Sequence, residues 1–117
     1  MIDATRAVTF AEEWIESWND HDLDRILTHY APGIVLLSPI AQRRVGNGRV
    51  EGMDALRSYW QEALESEPNL EFKLIETMIG HSSLTIIYCN HRNRRAAETF
   101  EFGADGKVIR SIACYLR

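Results

Sequence analysis

Apolar residues recur at intervals of three and four in three stretches of the chain, the spacing that places side chains on one face of an α-helix. In the first stretch Phe10, Trp14 and Trp18 share such a face, and in the second stretch the face ends at Tyr30. Each stretch is bounded by Asp, Asn, Gly or Pro, which commonly begin or end helices. The pattern predicts three helices, over residues 4–18, from Asp22 to Pro32, and from Gly52 to Pro68.

Shorter apolar or alternating stretches, which are typical of β-strands, fill most of the remaining chain. They predict strands over residues 34–38, 69–79, 84–91, 96–102 and 107–116. Residues 40–51 hold charges and two glycines, and they indicate an irregular hairpin. Strands joined by short turns pair antiparallel, and the helices precede or interrupt them. The order therefore predicts an α+β fold.

The length and composition favour one ordinary globular domain over residues 1–117, with 45% hydrophobic and 26% charged residues. A net charge of −4 argues against binding to nucleic acid or to an anionic membrane. No apolar run approaches the roughly 18 residues of a membrane helix, and the first ten residues lack the layout of a signal peptide. The two cysteines form no CxxC motif, so we expect a reducing, cytoplasmic setting.

One local basic patch stands out in this acidic chain. It consists of Arg92, Arg94 and Arg95, between two predicted strands. A solvated hairpin tip and a contact with an anion are both compatible with it.

Glu98 is the strongest candidate for acid/base chemistry. Strict alternation along residues 96–102 places it on the same face as Phe100 and Phe102. If this aromatic face lines a pocket, burial would raise the pKa of the carboxyl group and make it a usable general acid or base. The alternative is a carboxylate that an Arg or a Tyr holds for structural reasons.

Two tyrosines, Tyr88 and Tyr115, lie in predicted strands with apolar neighbours. Either hydroxyl could point at a ligand or at Glu98, so both are candidate catalytic residues; the alternative is that they are core aromatics. No pair of histidines has metal-ligand spacing, and no nucleotide-binding or serine-hydrolase motif is present. We therefore expect neither a metal nor a cofactor.

Several motifs together carry a resemblance to a known family. They are the Trp14/Trp18 helix, the junction 19–24, Tyr30-Ala31-Pro32 before the strand 34–39, residues 52–60 and residues 102–108. With these motifs the chain resembles the nuclear transport factor 2-like superfamily, in particular its bacterial SnoaL-like members, over essentially its whole length. The resemblance implies a cone-shaped roll in which three helices pack on a strongly curved antiparallel sheet. Because the superfamily includes isomerases, dehydratases, cyclases, hydrolases and non-catalytic binding modules, it leaves the chemistry open.

The chain is also distantly similar to ketosteroid isomerase, and this similarity places Trp14, Ser38 and Glu98 at the positions of that enzyme's three catalytic groups. A tryptophan cannot replace an acidic phenol, and a serine cannot by itself abstract a proton at neutral pH. Only Glu98 keeps a carboxyl group, so the similarity argues against the steroid isomerase mechanism as such.

The wide end of the cone in this superfamily is unfilled and lined by aromatic rings, which suits a small hydrophobic ligand. The expected ligand-binding rings, each of which could instead be core, are Trp14, Trp18, Tyr30, Trp60, Phe72 and Phe100. Ser38 and Ser111 are expected to face the same space, where each could hydrogen-bond a ligand or hold a water. We expect either an acid/base isomerase, dehydratase or hydrolase acting on a small hydrophobic substrate, or a non-catalytic module that binds a ligand or another protein.

The outer face of the predicted sheet should be unusually apolar for a monomer. Its expected residues are Ile75, Thr77, Ile87, Cys89, Thr99, Arg110, Ile112 and Cys114. Family members commonly dimerise through this face, so we expect a homodimer about a two-fold axis. The strand 96–102 should separate the two cysteines, which predicts that they form no disulfide within the chain.

Overall fold

Four helices and six strands follow one another within residues 3–116, the part of the chain that this computed structural model describes. The helices are α1 (Ala4–Asn19), α2 (Leu23–Leu27), α3 (Pro39–Val45) and α4 (Met53–Ser66). The strands are β1 (Tyr30–Leu37), β2 (Arg49–Glu51), β3 (Lys73–Gly80), β4 (Ser83–Cys89), β5 (Arg95–Phe102) and β6 (Val108–Tyr115). Residues 1, 2 and 117 of the predicted domain lie outside the described residues. None of the helices within 3–116 is long and apolar enough to cross a membrane.

The six strands form one curved sheet in the order β2-β1-β6-β5-β4-β3. Neighbouring strands pair antiparallel except β1 and β6, which run parallel. The parallel pair departs from the all-antiparallel expectation because β6 returns beside the first strand, which no short turn connects to it. The α+β prediction itself is confirmed.

A fourth helix, α3, replaces the irregular hairpin predicted over residues 40–51. Ser38 begins this helix, because its Oγ accepts hydrogen bonds from the backbone N–H groups of Ile40 and Ala41. Pro39 follows at the first helical position, where its missing N–H has no consequence. Gly46, with φ at +78°, ends the helix in the left-handed conformation. The sequence therefore contains a complete set of start and stop signals.

The second predicted helix is shorter than expected. It ends at Leu27, and Tyr30 begins β1 instead of completing a helical face. The pairing of β1 with β6 is irregular between Tyr30 and Val35, so Pro32 can lie inside the strand without breaking a regular ladder.

The inner face of the sheet, which the helices cover, holds alternate residues of the three central strands. Glu98 pairs with Ile86 on one side and with Ala113 on the other, and all three side chains are buried. On the outer face, Cys89 of β4 and Cys114 of β6 are free thiols on strands that β5 separates, which confirms the prediction of no disulfide.

A register shift in β3 changes which of its residues face outward. The shift lies between Leu74 and Glu76, and beyond it Thr77 pairs with the buried Ile86. Paired residues share a face. The prediction that Thr77 lies on the outer face is therefore wrong. Thr77 lies on the inner face, and Met78 takes the outer position.

Candidate functional site

A cavity of about 450 Å³ opens between α1, α3, α4 and the inner face of the sheet. Most of the residues predicted from the sequence line it, namely Trp14, Trp18, Ser38, Trp60, Phe72, Tyr88, Glu98 and Tyr115. Tyr30, Phe100 and Ser111 are buried behind this lining. The volume is in the range of small-molecule sites.

Small residues next to Glu98 leave the space open. On the inner face Ala96 lies two residues before Glu98, and Ala113 is its partner on β6. Tyr88 and Tyr115 pair with Ala96 from either side. The two tyrosine rings and the acid therefore surround positions at which a larger side chain would fill the cavity.

Glu98 is only 5% exposed, and it reaches the cavity from the middle of β5. Ser111 Oγ donates a hydrogen bond to its Oε2 at 2.8 Å, the only hydrogen bond to this carboxyl group within residues 3–116. Burial raises the pKa of Glu98 to about 7, although the hydrogen bond from Ser111 opposes the rise. Near neutral pH this carboxyl group is therefore able both to release and to accept a proton.

The Trp14 indole does not hold the acid. Its Nε1 donates to the hydroxyl of Tyr30 at 2.9 Å, and both side chains are buried. Trp14 therefore offers the cavity only its ring. Phe100 supports this ring from behind, with ring centroids 5.4 Å apart.

The tyrosines that face Glu98 are hydrogen-bond donors rather than bases. Burial raises the pKa of Tyr88 and of Tyr115, and the nearby Glu98 carboxyl group raises both further. Tyr59 of α4, which the sequence did not single out, also lines the cavity, and burial raises its pKa as well. All three hydroxyls stay protonated at neutral pH and are able to donate to an oxygen atom of a ligand.

One wall of the cavity is aromatic. Trp14 stacks on Phe72 with centroids 5.7 Å apart, and Trp18 meets Trp60 edge to face at 5.0 Å. We call these four rings the aromatic wall. Trp18 Nε1 is buried and has no hydrogen-bond partner among the described residues. An unpaired buried N–H is unfavourable, so an acceptor atom on a ligand would stabilise it.

Positively charged residues surround the mouth of the cavity. We call Arg43, Arg44, Arg92 and Arg94 the basic rim. The first two lie on α3 and the last two in the turn between β4 and β5. The sequence patch at Arg92 and Arg94 thus reaches the cavity, while Arg95 pairs with Cys89 on the outer face of the sheet. Arg43 and Arg44 could not be assigned to the cavity from the sequence, because helix α3 was not predicted.

Glu67, just after α4, neutralises part of the rim. Its Oε2 lies 3.0 Å from Arg92 Nη2 and 3.4 Å from His91 Nε2, and its Oε1 lies 3.9 Å from Arg44 Nη2. Arg94 lies over the ring of Tyr115 at 5.5 Å. Within residues 3–116 no group of three His, Cys, Asp or Glu side chains is arranged to hold a metal ion.

The model of the SnoaL-like domain family matches residues 11–111 of this chain. No curated protein matches the sequence. Among solved structures, a SnoaL-like protein of unknown function from Burkholderia thailandensis E264 is 41% identical, with a TM-score of 0.96; the match covers 99% of this chain and 98% of that one.

Two more distant structures are similar in fold alone. A protein of unknown function with a cystatin-like fold from Methylobium petroleophilum PM1 is 18% identical with a TM-score of 0.80, over 99% of this chain and 79% of that one. The epoxide hydrolase/cyclase-like enzyme SalBIII, described for pyran ring formation in the polyether salinomycin, is 17% identical with a TM-score of 0.77, over 99% of this chain and 95% of that one.

Proposed function

The chain belongs to the SnoaL-like domain family, and from this premise we propose that it is an acid/base enzyme for a small hydrophobic substrate. The proposed reaction moves a proton, as an isomerase, a dehydratase or a hydrolase does, and Glu98 is the group that carries it. SalBIII is described as epoxide hydrolase/cyclase-like and has the same fold, so the fold accommodates such chemistry.

The observation that carries the proposal is the placement of Glu98. It is a nearly buried carboxyl group at the cavity surface, and burial brings its pKa to about 7. A carboxyl group of this kind is poorly solvated when ionised, which makes it a stronger base towards a bound substrate than a carboxylate in water. Its Oε1 forms no hydrogen bond with residues 3–116, and Glu98 is one of the residues that line the cavity.

The arrangement suits the shift of a proton next to a carbonyl group. In its ionised form Glu98 removes a proton from the carbon beside the carbonyl, and the electron pair of the broken C–H bond forms a C=C bond. The carbonyl oxygen becomes an enolate oxygen, to which the Tyr88 or Tyr115 hydroxyl donates a hydrogen bond. Where the substrate carries a second C=C bond conjugated with this enolate, as a β,γ-unsaturated ketone does, protonated Glu98 then returns the proton to the far carbon of that bond, which completes an isomerisation.

Hydrogen exchange into a simple ketone tests this chemistry without knowledge of the natural substrate. The protein is incubated with 2-tetralone in D₂O, and the loss of the proton signals beside the carbonyl is followed by NMR. We expect the wild-type protein to accelerate exchange above the buffer rate, and Glu98→Gln to lose about a hundredfold or more of that acceleration.

Glu101→Gln is the matched control. Glu101 lies on the same strand three residues after Glu98, so its side chain points to the opposite face of the sheet. There it is half-exposed beside Arg110. This variant should exchange at the wild-type rate. Exchange at the buffer rate with wild-type protein, or equal rates for wild type and Glu98→Gln, would contradict the proposal.

A non-catalytic ligand-binding module is the second candidate. The observation in its favour is that Ser111, which does not titrate, is the only hydrogen-bonding partner of Glu98 within the described chain. On this alternative, hydrophobic compounds would raise the melting temperature of the protein without any exchange of their protons.

A further inference from the structure

The mouth of the cavity differs in charge from the rest of the molecule. The whole chain carries a net charge of −4, yet four of the residues that line this cavity are arginines. Glu67 and Glu98 are the carboxylic acids of the same lining. With Glu67 ionised and Glu98 either neutral or ionised, the lining keeps a surplus of two to three positive charges. A purely hydrophobic ligand gives no reason for this surplus.

The arginines of the basic rim are not equally neutralised. Glu67 forms ion pairs with Arg92 and Arg44, and Arg44 also donates to Ser66 Oγ at 2.8 Å. Arg43 and Arg94, in contrast, form no ion pair with a carboxylate of residues 3–116. The Tyr115 ring beneath Arg94 holds its guanidinium group at the cavity edge.

We propose that the substrate is an organic carboxylate with a flat hydrophobic body, whose carboxylate group Arg43 and Arg94 bind at the mouth while its body lies against the aromatic wall. The planar guanidinium group matches a carboxylate, and a positively charged mouth speeds the encounter with an anion. This inference rests on the proposed function for the location of the site.

A phosphate ester is less well matched to the same mouth. Phosphate groups are commonly bound by free backbone N–H groups at a helix N-terminus. At the start of α3, however, the N–H groups of Ile40 and Ala41 already donate to Ser38 Oγ. The basic rim therefore offers side-chain guanidinium groups but no free backbone N–H groups at the start of α3. This favours a carboxylate over a phosphate ester as the bound anion.

The test compares two probes of the same shape, 2-naphthoate and the neutral 2-naphthamide, at pH 7.5 and low salt. Binding is followed through the indole N–H signals in ¹⁵N NMR spectra, because all three tryptophans of the protein line the cavity. We expect wild-type protein to bind 2-naphthoate about tenfold more tightly than 2-naphthamide, and added salt to reduce this preference. These wild-type measurements need no variant to fold.

Two double variants then locate the effect. Arg43→Gln with Arg94→Gln should reduce the preference to about twofold or less and leave the affinity for 2-naphthamide unchanged. Arg95→Gln with Arg110→Gln removes the same charge from the outer face of the sheet and should keep the preference.

The following outcomes would overturn the proposal: equal affinity of wild type for both probes, no shift of the indole signals with millimolar 2-naphthoate, a preference that survives loss of Arg43 and Arg94, or tighter binding of 2-naphthyl phosphate. Each concerns binding alone. Failure here would leave the 2-tetralone exchange result intact, and failure of exchange would leave the anion preference measurable.

Discussion

Glu98→Gln removes one titrating proton from the interior and changes little else. Glutamine has the same length and keeps an oxygen that accepts the hydrogen bond from Ser111. If burial raises the pKa of Glu98 to about 7, this variant should change how the stability of the protein depends on pH.

The size of the effect follows from the two states of the carboxyl group. Its pKa is about 4.5 in the unfolded chain and about 7 in the folded protein. Between these values the folded protein keeps the proton that the unfolded chain releases, so raising the pH weakens the fold. At about 1.4 kcal/mol for each pH unit, the wild-type protein should lose about 3 kcal/mol of unfolding free energy between pH 4.5 and pH 7.5 that Glu98→Gln does not lose.

Urea unfolding at pH 5, 6, 7 and 8 measures this difference. Other groups titrate over the same range, among them His29, whose pKa is lowered by burial. Their contribution is common to both proteins and cancels in the difference between wild type and variant. Glu101→Gln again serves as the control, and its curve should run parallel to that of the wild type.

The reasoning would be refuted by a difference between wild type and Glu98→Gln that stays constant, within about 0.5 kcal/mol, from pH 5 to pH 8. A wild-type protein that becomes less stable, relative to Glu98→Gln, as the pH falls would refute it more strongly, because it would mean that folding stabilises the ionised form. A ¹³C NMR titration of the Glu98 carboxyl carbon provides the direct check, with an expected midpoint near pH 7.

Three further predictions concern other parts of the structure. Asn19→Ala removes the side chain that bonds to the backbone N–H and C=O of Phe72 at 2.6 and 2.9 Å, and it should lower the unfolding free energy by about 2 kcal/mol in urea titrations; an unchanged value would contradict the role of this amide. Glu67→Gln should tighten 2-naphthoate binding several-fold in the same NMR titration, because it releases arginines of the basic rim; weaker binding would contradict that account. For the outer sheet face, which includes Ile87 and Cys114, we propose a homodimer that should give a dimer mass in sedimentation at micromolar concentration, whereas monomer alone would contradict it.

The long elements could be predicted from the sequence because their patterns are local. Helix α1 keeps its apolar face over four turns, and the observed helix covers the predicted residues with one more at its end, Asn19. The strands β4, β5 and β6 alternate between inner and outer positions, as expected for a sheet with one covered face. For the same reason the pleat alone placed Glu98 on the side of Phe100, and the structure shows both buried on the inner face.

The predictions of secondary structure and of sheet faces were wrong where helix capping or pairing with a distant strand decides the local structure. In α3 the charges obscured the Ser38-Pro39 start, and Tyr30 enters a strand because its partner, Val108, lies far along the chain. The register shift after Leu74 turned Thr77 from the outer face to the inner face. A pattern that counts residues cannot detect a shift that the neighbouring strand imposes.

The basic rim shows a further limit of prediction from the sequence, which concerns the candidate site itself. Arg43 lies on α3 and Arg94 lies beyond β4, and only the folded sheet brings the two to one opening. In sequence each is one charged residue among many, whereas Glu98 was conspicuous as an acid within an apolar alternation. The position of Glu98 in the cavity could therefore be predicted from the sequence, and the charge of the mouth could not. Because the mouth is positive and the deep acid is neutral up to about pH 7, an anionic substrate could enter without meeting a fixed negative charge at the bottom. The negative charge of the same substrate would in turn raise the pKa of Glu98, so a carboxylate bound at the mouth should move to higher pH the range in which this residue acts as the base.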